Sequence, residues 1–530
     1  MLRLSNIALP PDYTEADLQD AILRKCGITP DQLLSFSVIR RSVDARNRSD
    51  VRIVLSVHIK AKNEQALLKK CRFLSPVNGI PSFSVPSSRF AFPPLVVGAG
   101  PAGLFAALIL ARAGAAPVLI ERGRPVESRT QDVEKMSSEG LLDPESNVQF
   151  GEGGAGAFSD GKLTCGVKSP YLRTVLETFV AHGAPESILS DAMPHIGTDR
   201  LKGVVASIRQ EILSLGGTVL FETRLDNLLL CDSRLKGAVL STASEKHEFR
   251  TDTILLCIGH SARDTVQSLF SQGIRMAQKP FAVGVRIEHP RVFIDRVQYG
   301  SFAGHPALGA ASYKLVCHTP DSRGVYTFCM CPGGHVIAAA SQPGGVVVNG
   351  MSYHARNAEN SNSALLVGIR TDDFKDDHPL AGMVFQRQIE KAAFRAGGGN
   401  FRAPAQRVED FLSDRATAIF GSVRPSYRPG ITPADLRCVL PDFVTQDLKK
   451  GLRAMNTQLS GFAMPDAVLT APETRSSSPV RILRKDTGES ESVSGLFPVG
   501  EGAGYAGGIV SAAIDGITAA LKALEKSSLL

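Results

Sequence analysis

Tryptophan is missing from the 530 residues, no short period recurs, and neither sign of charge dominates: 59 basic side chains face 52 acidic ones, a net charge of +7. The missing period excludes collagen-like and coiled-coil chains, and 43% hydrophobic with 21% charged residues excludes a disordered one. So mild a charge favours solubility without pointing to nucleic acid, and no nucleic-acid partner is expected. No export signal is visible, since Met1-Leu2-Arg3-Leu4-Ser5-Asn6 leads into no apolar block with a cleavage site. One long uncharged run, 93–111, has about the length of a membrane span, but Pro93-Pro94 and the glycines at 98, 100 and 103 interrupt it, and no span is expected. Nine cysteines follow no disulfide spacing and eleven histidines no metal-ligand spacing, which points to a reducing, cytoplasmic setting and to no metal.

What is present reads as several units. Residues 1–74 form a small α+β domain, with strands at 2–9, 34–41 and 51–59 and a helix at 14–25 opened by a Thr14/Asp17 capping box and closed by Gly27. Residues 75–92, rich in proline and serine, read as a linker. Strand Leu95-Val96-Val97, a glycine turn, a helix over 101–113 and a strand over 117–121 open the next domain, 93–275, in which 199–215 is an amphipathic helix. Short apolar runs separated by glycine and proline fill 276–490, an inserted mixed domain with helices at 383–396 and 443–456. A strand at 495–500 and a helix at 508–524 return to the earlier domain as 491–530.

Gly98, Gly100 and Gly103 spell G-x-G-x-x-G between a β-branched strand and an alanine-rich helix, and Glu121 ends the next strand. This is the dinucleotide-binding arrangement: the glycines let the backbone approach a pyrophosphate, the helix N-terminus favours its charge, and the carboxylate accepts from a ribose hydroxyl. The negative Glu121 repels a 2′-phosphate, so NADP is the least fitting occupant. Gly502, Gly504 and Gly507 repeat the spacing, but the chain lacks the strand and acid that would complete a second nucleotide fold. The late strand, glycine turn and helix are better read as the closing part of an FAD domain. With one nucleotide fold, direct reduction by NADPH is expected to be slow or absent.

Between these segments, 147–162 places four glycines within six residues, beside Ser159, Asp160 and Lys162, and reads as a loop that approaches a planar or anionic ligand; a flexible surface loop is the bland alternative. Arg129 either reaches the phosphates or pairs with Glu127 or Asp132 on the surface. Cys329 and Cys331 share a face if 328–331 is a flat strand, and are read as small buried side chains, with a thiol beside flavin as the sharper alternative. The Pro332-Gly333-Gly334 turn is expected to bring Cys331 toward the ring. No C-x-x-x-x-C follows the first glycine turn, which disfavours a disulfide reductase of the glutathione-reductase type. Arg40, Arg41, Arg46, Arg48 and Arg52 read as a solvated hairpin, with an anionic partner such as RNA behind that reading.

As a set, Arg40 to Arg46, the turn at 98–103, Asn147 to Lys162, Phe328 to Gly334, Asn349 to Ser352, Glu473 to Arg481 and Gly500 to Gly508 resemble the FAD-dependent dehydrogenase-like family of bacteria and plastids. Cys165 and Ser476 stand where that family is expected to carry threonine, which argues against a general catalytic role for the Cys165 thiol.

The expected fold is thus α/β and α+β: a Rossmann-like FAD-binding domain with an inserted mixed α+β domain and a small N-terminal α+β domain. The expected function is an FAD-dependent oxidoreductase, with a flavin-bound binding or regulatory protein as the alternative; substrate, electron carrier and oligomeric state stay open. Expected cofactor contacts are Gly98, Gly100, Pro101, Ala102, Gly103, Glu121, Arg122 and Arg129 early in the chain. They continue through Gly153, Gly154, Ser159, Gly161, Lys162 and Gly259, and end with Gly500, Glu501, Gly502, Gly507, Gly508 and Ile509.

Overall fold

The computed structural model describes residues 1–77 and 85–528. Of the segment read as linker, 78–84 lie outside the described residues, while 75–76 belong to a strand. The N-terminal unit runs β1 (Leu2–Leu9), α1 (Glu15–Cys26), β2 (Leu33–Asp44), β3 (Arg52–Ala61), α2 (Glu64–Lys70) and β4 (Leu74–Pro76). Its sheet has the order β2-β3-β1-β4, antiparallel throughout. Helix α1 starts as its sequence requires, with the Thr14 hydroxyl and Asp17 carboxylate capping each other's backbone amides, and stops at Gly27 with φ 64°. Alternate residues Ile53, Leu55, Val57 and Ile59 of β3 pack with Leu18 and Ile22 of α1. The rim of β2 is tied to the body where Arg41 exchanges backbone bonds with Ser190 and Ala192 at 2.7 and 2.8 Å.

The second unit is built on a five-stranded parallel sheet. Its order is Leu496–Pro498, Ile254–Leu256, β5 (Leu95–Val97), β6 (Val118–Ile120) and Thr218–Leu220. Thus the strand near the end of the chain does return to the sheet that β5 begins. Helix α3 (Pro101–Arg112) is buried along nearly its whole length, which explains why its sequence is apolar all round rather than amphipathic. It lies against the last helix, Ile509–Ser528, at small residues: a Cβ on Gly516 would stand 2.2 Å from the Ala102 carbonyl oxygen.

A seven-stranded sheet dominates the remainder, in the order Val316–His318, Gly324–Cys331, Asn360–Ile369, Phe281–Pro290, Val468–Glu473, Ala403–Arg407 and Ile431–Pro433. All neighbours are antiparallel except the last pair. The helices expected in this region occur as Ala381–Ala396 and Asp442–Gln458. Helices that went unread in the sequence include Val126–Glu139 and Leu172–Ala181. The first buries Val126, Arg129, Asp132 and Met136, a face too polar to show as hydrophobic periodicity. No helix among the described residues is long and apolar enough to cross a membrane.

Candidate cofactor and substrate site

A cavity of about 710 Å³ extends from the first glycine turn to the seven-stranded sheet, within the roughly 300–1,000 Å³ range of ligand sites. The turn begins at Gly98, whose φ of +101° suits glycine and where a Cβ would stand 2.5 Å from the Cys257 carbonyl oxygen. Gly100 is the N-cap of α3 and Pro101 its first residue, with no side-chain cap. Gly98, Gly100, Pro101 and Ala102 line the cavity, so an uncapped helix N-terminus faces it.

Glu121 sits at the end of β6 and is buried. Its Oε2 accepts from the Ala99 amide at 2.8 Å, and its Oε1 from the Gly123 and Gly151 amides at 3.0 and 2.9 Å. A carboxylate offers about four acceptor positions, so one remains for a hydroxyl on the cavity side. Arg122 beside it lines the cavity, with its guanidinium paired to Glu145 and Asp264 and stacked 4.1 Å from the Phe150 ring centroid.

Neither sequence reading of Arg129 holds. It does not line the cavity and is not on the surface: fully buried, it donates to the carbonyl oxygens of Asn147, Val148, Gly151 and Glu152 at 2.8, 2.9, 3.2 and 2.5 Å. Its supposed surface partners are taken elsewhere, Glu127 by Arg209 and Asp132 by Arg124. Arg129 is the buried anchor of the glycine-rich loop, and burial pulls its guanidinium down to about 10.

Four expected contacts besides Arg129 also lie behind the cavity wall. Gly103 is packed so closely that a Cβ there would stand 1.8 Å from the Gly98 carbonyl oxygen. The Gly153 amide is spent on the Ala99 carbonyl at 2.8 Å and the Gly500 amide on Asp515 at 2.7 Å, while the Gly502 carbonyl accepts from Ser478 at 3.3 Å. They shape the turns rather than face a ligand. Gly154, Ser159, Gly161, Lys162 and Gly259 line the cavity, as do Glu501, Gly507, Gly508 and Ile509. The helix that starts at Ile509 therefore directs a second N-terminus toward it. Burial pushes the Glu501 carboxyl up to about 7, and His260, 4.0 Å away, is pushed down to about 3 by burial and the nearby Arg475 and Arg263.

The far end of the cavity joins Asp160 and Lys162 of the glycine-rich loop to groups that the sequence reading did not assign to it. Asp160 is buried between Arg356, 3.1 Å from Nε, and Lys162 at 3.7 Å, and accepts from Ser352. Burial raises the Asp160 carboxyl, but Lys162 and Arg356 more than offset this and leave it below its ordinary value. Glu390 pairs with both Arg263 and Arg475, at 2.8 and 3.0 Å. Arg286, fully buried, donates to Glu473, Asn362 and Asn349 and to the Cys329 carbonyl oxygen. Asn349, Glu473 and Arg475 all line the cavity. Their motifs were visible in the sequence, but only the register of distant strands brings them together.

The cysteine reading is corrected as well. A register shift between Phe328 and Cys331 marks a bulge, and Cys329 has φ 43°, so the two residues do not continue a flat strand. Cys329 lines the cavity, whereas Cys331 lies fully buried behind it. In the N-terminal unit, Arg46 pairs with Asp44 and Arg52 with Asp50, both at 2.6 Å, as a solvated hairpin does. Among the described residues no cluster of His, Cys, Asp or Glu is placed to hold a metal ion.

Comparison with known proteins finds the family described as FAD-dependent protein, C-terminal domain-like, over residues 280–476, an FAD binding domain over 92–135, and a domain of unknown function over 1–60. An uncharacterized protein of Clostridium beijerinckii is 45% identical over 533 residues, covering 100% of this chain and 99% of its own. Among solved structures, a flavin-dependent brominase matches with 12% identity over 83% of this chain and 80% of its own, at a TM-score of 0.37. A geranylgeranyl bacteriochlorophyll reductase-like protein of Thermoplasma acidophilum matches with 12% identity over 83% and 80%, at 0.35.

Proposed function

Because the chain belongs to the family of FAD-dependent proteins with this C-terminal domain, we propose that it is an oxidoreductase acting on a small anionic substrate at the Lys162, Arg356 and Arg475 end of its cavity. One observation carries the choice of substrate class. Lys162 and Arg356 share the single carboxylate of Asp160, and Arg263 and Arg475 share that of Glu390, so each cluster keeps an excess positive charge. Two such clusters beside a partly apolar cavity favour a negatively charged ligand group.

The residues present fit FAD. Gly98 and Gly100 leave the backbone open to a pyrophosphate, and the uncapped N-terminus of α3 favours its charge. The remaining acceptor position of Glu121 would take a ribose hydroxyl. Gly507, Gly508 and Ile509 would face the flavin end, where the positive end of the last helix stabilises negative charge. Bound FAD supplies two-electron transfer. The chain's part is to orient the two reactants: Arg122 and Phe150 border the nucleotide end, while Lys162, Arg356 and Arg475 hold the substrate.

The test is the cofactor released by heating the purified protein, followed by anaerobic bleaching of the flavin band with a panel of small organic acids and with NADPH. Released FAD, bleaching by an organic acid with many turnovers, and slow reaction with NADPH are expected. Release of FMN or NAD overturns the cofactor assignment. A flavin that no donor and acceptor can cycle points instead to a flavin-bound regulatory protein.

A further inference from the structure

The strand Gly324–Cys331 pairs Phe328 with Ala364 and Cys331 with Asn362, so Cys329 and Met330 stand opposite the single residue Ser363, a bulge of one extra residue. In a flat strand, residues two apart stand side by side. Here the bulge, with Cys329 at φ 43°, curls the chain. The Cys331 thiol donates to the Cys329 carbonyl oxygen at 3.2 Å, which folds the Cys331 side chain back toward Cys329. Cys329 is on the cavity wall, together with Gly508 and Ile509, and Cys331 is directly behind it.

Two cations attend this pair. The Arg286 guanidinium is 2.9 Å from the Cys329 carbonyl oxygen and 3.9 Å from the Cys331 sulfur. Lys162, also on the cavity wall, has its ammonium nitrogen buried without a hydrogen-bond partner. The neighbouring Cys331, with Lys162 and Arg286, holds the Cys329 thiol well below its ordinary value despite burial, and Cys329 in turn raises Cys331. Two free cysteines one residue apart, the first open to the cavity, are placed as the reduced half of a redox couple.

We propose that Cys329 and Cys331 are a dithiol/disulfide couple that accepts an electron pair from the reduced flavin. The proposal rests on the reading that FAD fills this cavity. Reduced, anionic FAD gives up two electrons and one proton and becomes oxidised FAD. The Cys329–Cys331 sulfur–sulfur bond breaks, one electron pair is taken up, Cys329 leaves as thiolate and Cys331 takes the proton. Charge, protons and electrons balance without a further reactant. A disulfide between residues this close in sequence is strained, and strained disulfides are the more oxidising and labile ones, which favours electron flow from flavin to sulfur.

The experiment is an anaerobic dithionite titration of the air-oxidised FAD protein, with iodoacetamide labelling and peptide mass mapping before and after. The expected uptake is four electrons per FAD, two for the flavin and two for the disulfide, with the peptide carrying residues 329 and 331 labelled only after reduction. Cys329→Ser and Cys331→Ser should each take up two electrons while retaining FAD. Should a variant fail to fold, the labelling pattern of the unaltered protein decides alone. Cys26 also contacts Cys71, so an extra electron pair that maps to those cysteines, or that survives in Cys329→Ser, overturns the proposal. Uptake of two electrons with both sulfurs labelled before reduction overturns it as well. A protein without a flavin band after FAD soaking instead fails the cofactor reading, and is recognised before any titration.

Discussion

The amide of Gly151 donates to Oε1 of Glu121 at 2.9 Å, joining the glycine-rich loop to the end of β6. Glu121 is therefore a structural joint as well as a residue that lines the cavity. Its two oxygens already serve three backbone donors from three segments, the Ala99, Gly123 and Gly151 amides.

Glu121→Gln keeps the size but turns one oxygen into a donor, which must face at least one of those buried amides. Leaving a buried donor unpaired costs about 1–3 kcal/mol. A lower melting temperature together with FAD affinity reduced about tenfold, about 1.4 kcal/mol, is expected. An unchanged melt and unchanged affinity, read by flavin fluorescence titration, would contradict both roles.

Two glycines respond in opposite ways to alanine. At Gly103 a Cβ would stand 1.8 Å from a backbone oxygen that has no room to move, so Gly103→Ala should lose FAD and fold poorly. Gly203 is exposed inside the helix Thr198–Ser214 with nothing within 4 Å of an added Cβ. Gly203→Ala should stabilise by about 0.5–1 kcal/mol, the usual helix-interior gain. Thermal melts of the two variants check the contrast.

Arg129→Lys keeps the charge but loses the planar fork that reaches four carbonyl oxygens. The loop at 147–152 then loses most of its anchor, and a destabilisation of at least about 2 kcal/mol is expected from the unpaired carbonyls. Faster proteolysis or hydrogen exchange confined to 147–152 would locate the effect. Protection equal to that of the unaltered protein would show that the fork is dispensable.

The Glu501 carboxyl has a folded-state value of about 7 against an ordinary 4.5. The folded protein therefore binds more protons than the unfolded chain between those values. The stability that Glu501 contributes is complete below about pH 4.5 and declines as the pH rises through 7. Glu501→Gln, which has no charge to bury, should melt higher relative to the unaltered protein at about pH 8 than at about pH 4.5. Parallel melting curves across that range would show that Glu501 titrates normally.

Local patterns in the sequence decided the α1 capping box, the apolar strand β5, the glycine spacing at 98–103 and Glu121 at the end of β6. Each depends on neighbours within about one turn or one strand, where periodicity and backbone preference act directly. The late strand at 496–498 was legible for the same reason, as an apolar run before a glycine turn. Tertiary structure alone decided the rest of the site. Asn360-Ser361-Asn362-Ser363 carries turn-forming residues, yet it is the buried start of a central strand, because 281–290 on one side and 324–331 on the other complete its ladder. Arg129 read as either a phosphate ligand or a surface ion pair, whereas the loop it holds buries it, and Cys329 and Cys331 exchanged roles because one bulge re-aims a strand. Buried polar groups are placed by hydrogen-bond partners far away in the chain, and no local period records where those partners will be.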